Sequence, residues 1–242
     1  MKPLALLSIR AEPVAAADEH AAFARYLRLE QKDLHRVELG SMSCGLELDD
    51  YAGVLLGGGA FTYSDAPEAK SERQLRAEDD VFALLDEIVE RDFPFLGACY
   101  GIGTLGTHQG GVVDRTHAEA VGPVAVSLTE LGSRDPLFAG LPTSFAAYGG
   151  HKEGLTVPPA HAAVLATSSS CPVQAFRIGE HVYATQFHPE LDLAGLATRI
   201  EAYAGFGYFE PSEAAGLLAA GTAVDVRHPG RILANFAARY RR

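Results

Sequence analysis

Cys99 stands between two glycines in Gly97-Ala-Cys99-Tyr-Gly101, directly after the apolar run Phe93-Pro-Phe-Leu96. This is the spacing of a nucleophile elbow, in which flanking glycines let neighbouring backbone approach while a strained residue aims its side chain into a cleft. The period changes from strand to helix at Cys99, so the sulfur is expected on a sharp turn that opens a helix. Free N–H groups and the helix dipole favour a thiolate there, and the sequence predicts a lowered thiol pKa. The same five residues also suit a buried structural cysteine, because free cysteine is among the most buried residue types.

A nucleophilic cysteine needs a base and a group to orient that base, both usually distant in sequence. Val182-Tyr-Ala-Thr-Gln-Phe-His188-Pro189-Glu190 supplies both at the end of a second apolar run. In extended chain His188 and Glu190 project to the same side, so the carboxylate can fix the tautomer while the other ring nitrogen faces the thiol. Pro189 stiffens the link between them. No metal is expected, since His151, His161, His181 and His188 lack a helical His-x-x-x-His arrangement.

Taken together, Gly97-Ala-Cys99-Tyr-Gly101 and Gln186-Phe-His188-Pro189-Glu190 resemble the class I glutamine amidotransferases. The likeness covers about residues 50–190. It includes the glycine loop Leu55-Leu-Gly57-Gly58-Gly59-Ala60 and the stretch Cys171-Pro-Val-Gln174-Ala-Phe176, which is similar to GMP synthetase-type amidotransferase domains. The resemblance implies a Cys99–His188–Glu190 triad and no cofactor. The glycine triplet lacks the lysine and hydroxyl of a P-loop. Glycine at a strand end instead lets backbone N–H approach a reacting carbonyl, and the resemblance assigns the oxyanion to Gly58 or Gly59 with Tyr100 as second donor. A plain tight turn is the alternative.

The resemblance also shows departures. The family usually reads Gly-x-Cys-x-Gly-x-Gln, and Gly103 stands where that glutamine would help hold substrate. His151-Lys152-Glu153 replaces the usual His-Gly-Asp, so Gly103, His151 and Lys152 are the candidate substrate-binding positions. Lys152 either reads a substrate carboxylate or is simply solvated. The leading expectation is a glutaminase that supplies ammonia to a separate synthetase, since 242 residues leave no room for a synthetase domain. The alternatives are a stand-alone γ-glutamyl peptide or conjugate hydrolase with the same triad, and a non-catalytic regulatory or binding subunit.

Composition agrees with a globular protein: 48% hydrophobic and 21% charged residues. A net charge of −11 with no basic run argues against a nucleic-acid partner. Three widely spaced cysteines, Cys44, Cys99 and Cys171, suit a reducing compartment such as the cytoplasm. The apolar run near Met1 is too short for a signal peptide or membrane span and reads as a first core strand.

The elements that must position these groups follow from periodicity. Strands are expected at Leu4–Ile9, Leu34–Leu39 and Tyr51–Leu56, with helices over 15–29 and 68–91; in the second of these Leu75, Val81, Leu84, Leu85 and Ile88 form an apolar stripe. Beyond Gly110-Gly111 come short strands, at 112–113, 124–128, 145–148, 164–167, 173–178 and 182–186. The expectation is one three-layer α/β/α domain over 1–242, with a mainly parallel central sheet, an antiparallel extension and a helical segment from about 191. In that segment residues 205–228 read as a lid, an interface or an insertion, and Pro211 and Pro229 as helix starts.

Overall fold

Short apolar runs alternate with amphipathic segments through the first hundred residues, and the backbone follows that alternation. The computed structural model describes residues 1–40 and 45–241; Cys44 lies outside them, as does Arg242. The chain opens with β1 (Leu4–Ser8), α1 (Pro13–Leu27), β2 (Leu34–Glu38) and β3 (Val54–Leu56). It continues through α2 (Glu72–Glu90), β4 (Phe95–Ala98) and α3 (Tyr100–His108). Next come β5 (Val112–Asp114), β6 (Glu119–Leu128), α4 (Glu130–Arg134), β7 (Ser144–His151) and β8 (Gly154–Val157). Then follow β9 (Ala163–Thr167), β10 (Ala175–Ile178), β11 (Val182–Thr185), α5 (Leu193–Ala202), α6 (Ala214–Thr222) and α7 (Gly230–Tyr240).

Nine strands form one sheet in the order β2-β1-β3-β4-β11-β10-β9-β6-β7, and β5 with β8 makes a separate ladder. From β2 to β11 every pairing is parallel; from β11 to β7 every pairing is antiparallel. That is the mainly parallel sheet with antiparallel extension read from the sequence. β8 has no counterpart among the expected strands, being four residues that begin on glycine.

β1 shows why both faces are covered. Successive side chains alternate across a strand, so Leu4 and Leu6 enter one core with Phe23, Leu27 and Phe236, while Ala5 and Leu7 enter the other with Val81, Leu85 and Leu105. A parallel strand buried on both faces is therefore a continuous apolar run. Each leucine fully withdrawn from water contributes about 2 kcal/mol. α1 and α7 cover the first face. α2, capped by the Ser71 hydroxyl accepting from the Gln74 N–H at 3.2 Å, covers the second with α3. Its buried stripe runs through Gln74, Ala77, Glu78, Val81, Leu84, Leu85 and Ile88. Leu75, expected in that stripe, is 37% exposed because one residue's step turns about 100° around the helix. Pro211 opens a single 3-10 turn, and α6 starts only at Ala214; Pro229 does cap α7. Among the described residues no helix is long and apolar enough to cross a membrane.

The parallel register sets up everything that follows. Leu7 lies level with Leu56, Leu56 with Gly97, and Ala98 with Thr185. The C-terminal ends of β1, β3, β4 and β11 thus share one edge, the edge where open α/β sheets bind ligands. Arg10, the triplet Gly57-Gly58-Gly59, Cys99 and the segment Gln186–Glu190 follow those four ends.

The turn after β4 depends on one close approach. A Cβ on Gly97 would lie 2.7 Å from Gly101 Cα, whereas one on Gly101 would meet nothing nearer than 3.8 Å. Gly97→Ala is expected to cost about 1–3 kcal/mol in urea unfolding, and Gly101→Ala to stay within about 1 kcal/mol of wild type. Equal losses would contradict this account of the turn.

Candidate active site

Cys99 has φ 54° and ψ −87°, a backbone conformation that L-residues rarely adopt. Such strain costs about 1–3 kcal/mol and persists only where surroundings enforce it. Here the Cys99 N–H donates to Thr185 O at 2.8 Å, the Cys99 carbonyl accepts from the Ile102 N–H at 3.0 Å, and Gly97 and Gly101 make contact beneath. The elbow is thus tied to β11, the strand that leads to His188.

His188 is held by its own strand end and by β7. Its N–H donates to Tyr148 O at 3.0 Å, and its Nδ1 lies 2.8 Å from Glu190 Oε1. A carboxylate only accepts, so Nδ1 carries the proton and Nε2 keeps its lone pair. Arg199 of α5 completes the cluster, its Nη2 donating to the same Glu190 Oε1 at 2.9 Å. Its Nη1, 3.1 Å from His188 Nδ1, has no lone pair to meet there once that nitrogen is protonated. Glu190 has no exposure to solvent at all. Burial works against its charge, but His188 and Arg199 outweigh it and hold the carboxyl well below the usual range. Burial also lowers His188 from its ordinary 6.5, Glu190 opposing and Arg199 adding to the effect. The imidazole is neutral at pH 7.

The thiol behaves differently from the sequence reading. Cys99 is half-buried where the two strand ends meet, and desolvation there pushes it up from 9.0 to about 12, partly offset by Arg10. Desolvation outweighs the start of a nine-residue helix. The expected lowered pKa is therefore corrected: at rest a neutral thiol accompanies a neutral imidazole.

Each glycine of the triplet is fixed by what it touches. A Cβ would lie 2.6 Å from Glu19 Oε2 at Gly57, 2.6 Å from His188 Cε1 at Gly58, and 2.6 Å from Ile9 Cγ1 at Gly59. A Cβ on Gly58 would also be 3.3 Å from Cys99 Cβ and 3.4 Å from His188 Nε2, so this residue is wedged between thiol and imidazole. The N–H groups of Gly58, Gly59 and Tyr100 donate to no acceptor among the described residues. For Tyr100 the reason is general, since the first amides of a helix have no intrahelical partner.

Two small cavities meet at Cys99 and share Gly59 and Tyr208. One, about 20 Å³, is walled by Tyr100, Ile102, Gly103, Lys152 and Gln186; the other, about 50 Å³, by Arg10, His188, Arg199, Leu196 and Phe209. The sequence-derived binding positions all fall in the smaller one. Gly103 lies against Glu153, whose Oε1 would be 3.2 Å from a Cβ there, and whose two oxygens accept from the Tyr63 and Ser64 N–H groups at 2.7 Å each. Both His151 ring nitrogens are engaged, Nδ1 with Glu153 O at 2.7 Å and Nε2 with Glu119 Oε2 at 2.8 Å. Lys152 is half-buried; its Nζ donates to Phe206 O at 2.6 Å and stands 4.4 Å above the Tyr208 ring. The Tyr208 hydroxyl in turn donates to Gly59 O at 3.0 Å, which places Tyr208 in the walls of both cavities with Cys99.

Sequence reasoning missed Arg10, Gln186, Arg199 and Tyr208. Gln186 had a signal, since it opens the Gln186-Phe-His188-Pro189-Glu190 motif, and its buried Oε1 has no partner among the described residues.

Residues 22–200 match the family model described as glutamine amidotransferase class-I. Over 115 residues, 47% of this chain, the sequence is 36% identical to the glutamine-hydrolyzing GMP synthase of Listeria innocua, of which 22% is covered. The corresponding enzyme of Thermosipho africanus is 31% identical over 124 residues, 51% of this chain and 23% of that one. The match thus spans less than a quarter of these relatives' own length. Among solved structures, a glutamine amidotransferase from Thermotoga maritima superimposes with a TM-score of 0.76, covering 99% of both chains at 21% identity. A glutamine amidotransferase from Methylobacillus flagellatus gives 0.70, covering 99% of this chain and 94% of that one at 19% identity. At such identities the likeness shows the fold alone.

The state of the thiol is directly measurable. Alkylation of Cys99 by a small haloacetamide is expected to accelerate steadily from pH 7 to pH 10, because its pKa is pushed up to about 12. A rate that levels off near pH 7 would mean a resting thiolate and contradict the burial argument.

Proposed function

The chain belongs to the class-I glutamine amidotransferase family, and we propose that it hydrolyses the side-chain amide of a γ-glutamyl substrate, with Cys99 as nucleophile. The observation that carries this reading is the convergence of a strained thiol, a neutral imidazole and a buried carboxylate at adjacent parallel strand ends. In this mechanism Cys99 Sγ attacks the γ-carbonyl carbon as His188 Nε2 takes the thiol proton. A resting thiol is compatible with that step, since proton transfer accompanies bond formation. The N–H of Gly58 or Gly59, with that of Tyr100, holds the developing oxyanion. Glu190 orients His188 and balances the imidazolium. The proton then passes to the leaving nitrogen, the C–N bond breaks, and water activated by His188 cleaves the thioester. The same reading takes residues 1–242 as one amidotransferase-like domain, since strands drawn from residues 4–185 build one sheet.

For the leaving group, family membership supplies glutamine, with ammonia passing to a separate synthetase subunit; the names of the relatives suggest GMP synthase. A second reading has its own support. Gly103 offers no side-chain amide, and Glu153, pinned by two backbone N–H groups, occupies the adjoining space. Recognition of the glutamyl part without that amide favours a γ-glutamyl conjugate hydrolysed without a partner. A glutaminase rate that rises only on adding a synthetase supports the first; partner-independent turnover of conjugates supports the second.

Cys99→Ala is expected to lower amide hydrolysis by about 10³-fold or more, and full activity in that protein would overturn the proposal. The pH profile tests the base. Because His188 is depressed below 6.5, the acid limb of kcat/KM should fall below that pH. Arg199→Met removes a cation that disfavours imidazolium and should move the limb upward; a limb that moves downward contradicts the assigned role.

A further inference from the structure

The two cavities beside Cys99 are chemically unlike, and the difference identifies what departs from the substrate. In amide cleavage the acyl oxygen faces the oxyanion donors, while the leaving nitrogen must face the group that protonates it. Gly59 lines both cavities, but Tyr100, the other oxyanion donor, lines only the smaller one with Gly103 and Gln186, and His188 lines only the larger. The larger cavity is therefore on the leaving-group side. Ammonia needs neither its volume nor its lining.

That lining holds two arginines, with apolar groups beside them; Arg199 is committed to Glu190, which leaves Arg10. Arg10 is 4% exposed, and it is anchored by Nε donating to Glu19 Oε1 at 2.7 Å and Nη1 donating to the Tyr203 hydroxyl at 2.6 Å. Its Nη2 makes no hydrogen bond among the described residues. The guanidinium is thus fixed in place with donors to spare, the arrangement suited to a carboxylate. Val121, Leu191, Leu196 and Phe209 supply an apolar wall. The cavity is small, about 50 Å³, and favours a small acid over a bulky one.

We propose that this cavity is a leaving-group site, with Arg10 as its specificity-determining residue, and that the substrate is a γ-glutamyl amide of a small amino acid. The inference rests on the amidase reading of Cys99. The chemistry balances with water as the only co-reactant. The γ-carbonyl to nitrogen bond breaks, the amino acid leaves with the proton taken from Cys99, and water releases glutamate while returning a proton to the sulfur. Arg10 forms no bond in this sequence; it holds the departing carboxylate while His188 delivers the proton.

The test compares three substrates on the full chain: γ-glutamyl-alanine, γ-glutamyl-ethylamide, which is the same amide without the carboxylate, and glutamine. One charge-assisted contact corresponds to about a 10- to 100-fold preference in kcat/KM for γ-glutamyl-alanine over the ethylamide, and glutamine should be poorer than γ-glutamyl-alanine. Arg10→Lys should keep part of that ratio. The pair Arg10→Gln with Glu19→Gln, which leaves no unpaired buried charge, should bring it within about threefold, mostly through KM. Structural damage would lower both rates together and leave the ratio unmoved. Equal turnover of γ-glutamyl-alanine and the ethylamide, a preference for glutamine, or an unchanged ratio in the double variant overturns the inference alone. Hydrolysis of none of the three overturns the amidase reading and this inference with it.

Discussion

A carboxylate cut off from water governs the architecture of this site. Glu190 cannot stay charged in the interior without partners, and an uncompensated buried charge costs about 3–5 kcal/mol. Its two partners come from different elements, His188 from the end of β11 and Arg199 from α5, both at under 3 Å. Both partners meet the same oxygen, Oε1, and that pairing fixes the imidazole tautomer and draws α5 onto the strand end. The tautomer in turn leaves Nε2 available beside Gly58, where no residue with a side chain could stand. Orientation of the imidazole, placement of a helix and the demand for glycine all trace to one buried charge.

Enclosure has a second consequence. The packing that shields Glu190 also half-buries Cys99, so the thiol rests protonated beside a neutral His188. A protonated thiol is also the less readily oxidised form. The segment carrying Tyr208, bonded to Gly59 O and overlaid by Lys152, contributes to that enclosure. The same segment is held by Tyr203, whose ring meets Phe206 and Tyr208, and by Phe209 packing on Tyr148, Leu191, Leu196 and Ile200.

The elbow was legible in the sequence because Gly97 is demanded by a contact that any Cβ would break, and because the apolar run before Cys99 fixes the strand end. His188 and Glu190 were legible because extended chain puts residues two apart on one side. The parallel core was legible because strands buried on both faces are uninterrupted apolar runs. Other parts left no local trace. The Arg199–Glu190 pair spans nine residues with a change of element between them, Tyr208 meets Gly59 across 149 residues, and Arg10 meets Tyr203 across 193. Such pairs are set by the order of strands in the sheet, which no periodicity encodes. The thiol's pKa failed for a related reason: a helix start is a local feature, whereas desolvation sums over everything packed around the sulfur.

The central claim is that Cys99 is poised against His188 to attack a γ-glutamyl carbonyl. The most direct measurement is intact-protein mass spectrometry after exposure to a glutamine-mimicking electrophile, with peptide mapping of the adduct. A single adduct on Cys99, absent from Cys99→Ala and formed far more slowly in His188→Ala, is the predicted result. No adduct on folded protein, or one borne by Cys171 instead, would contradict it.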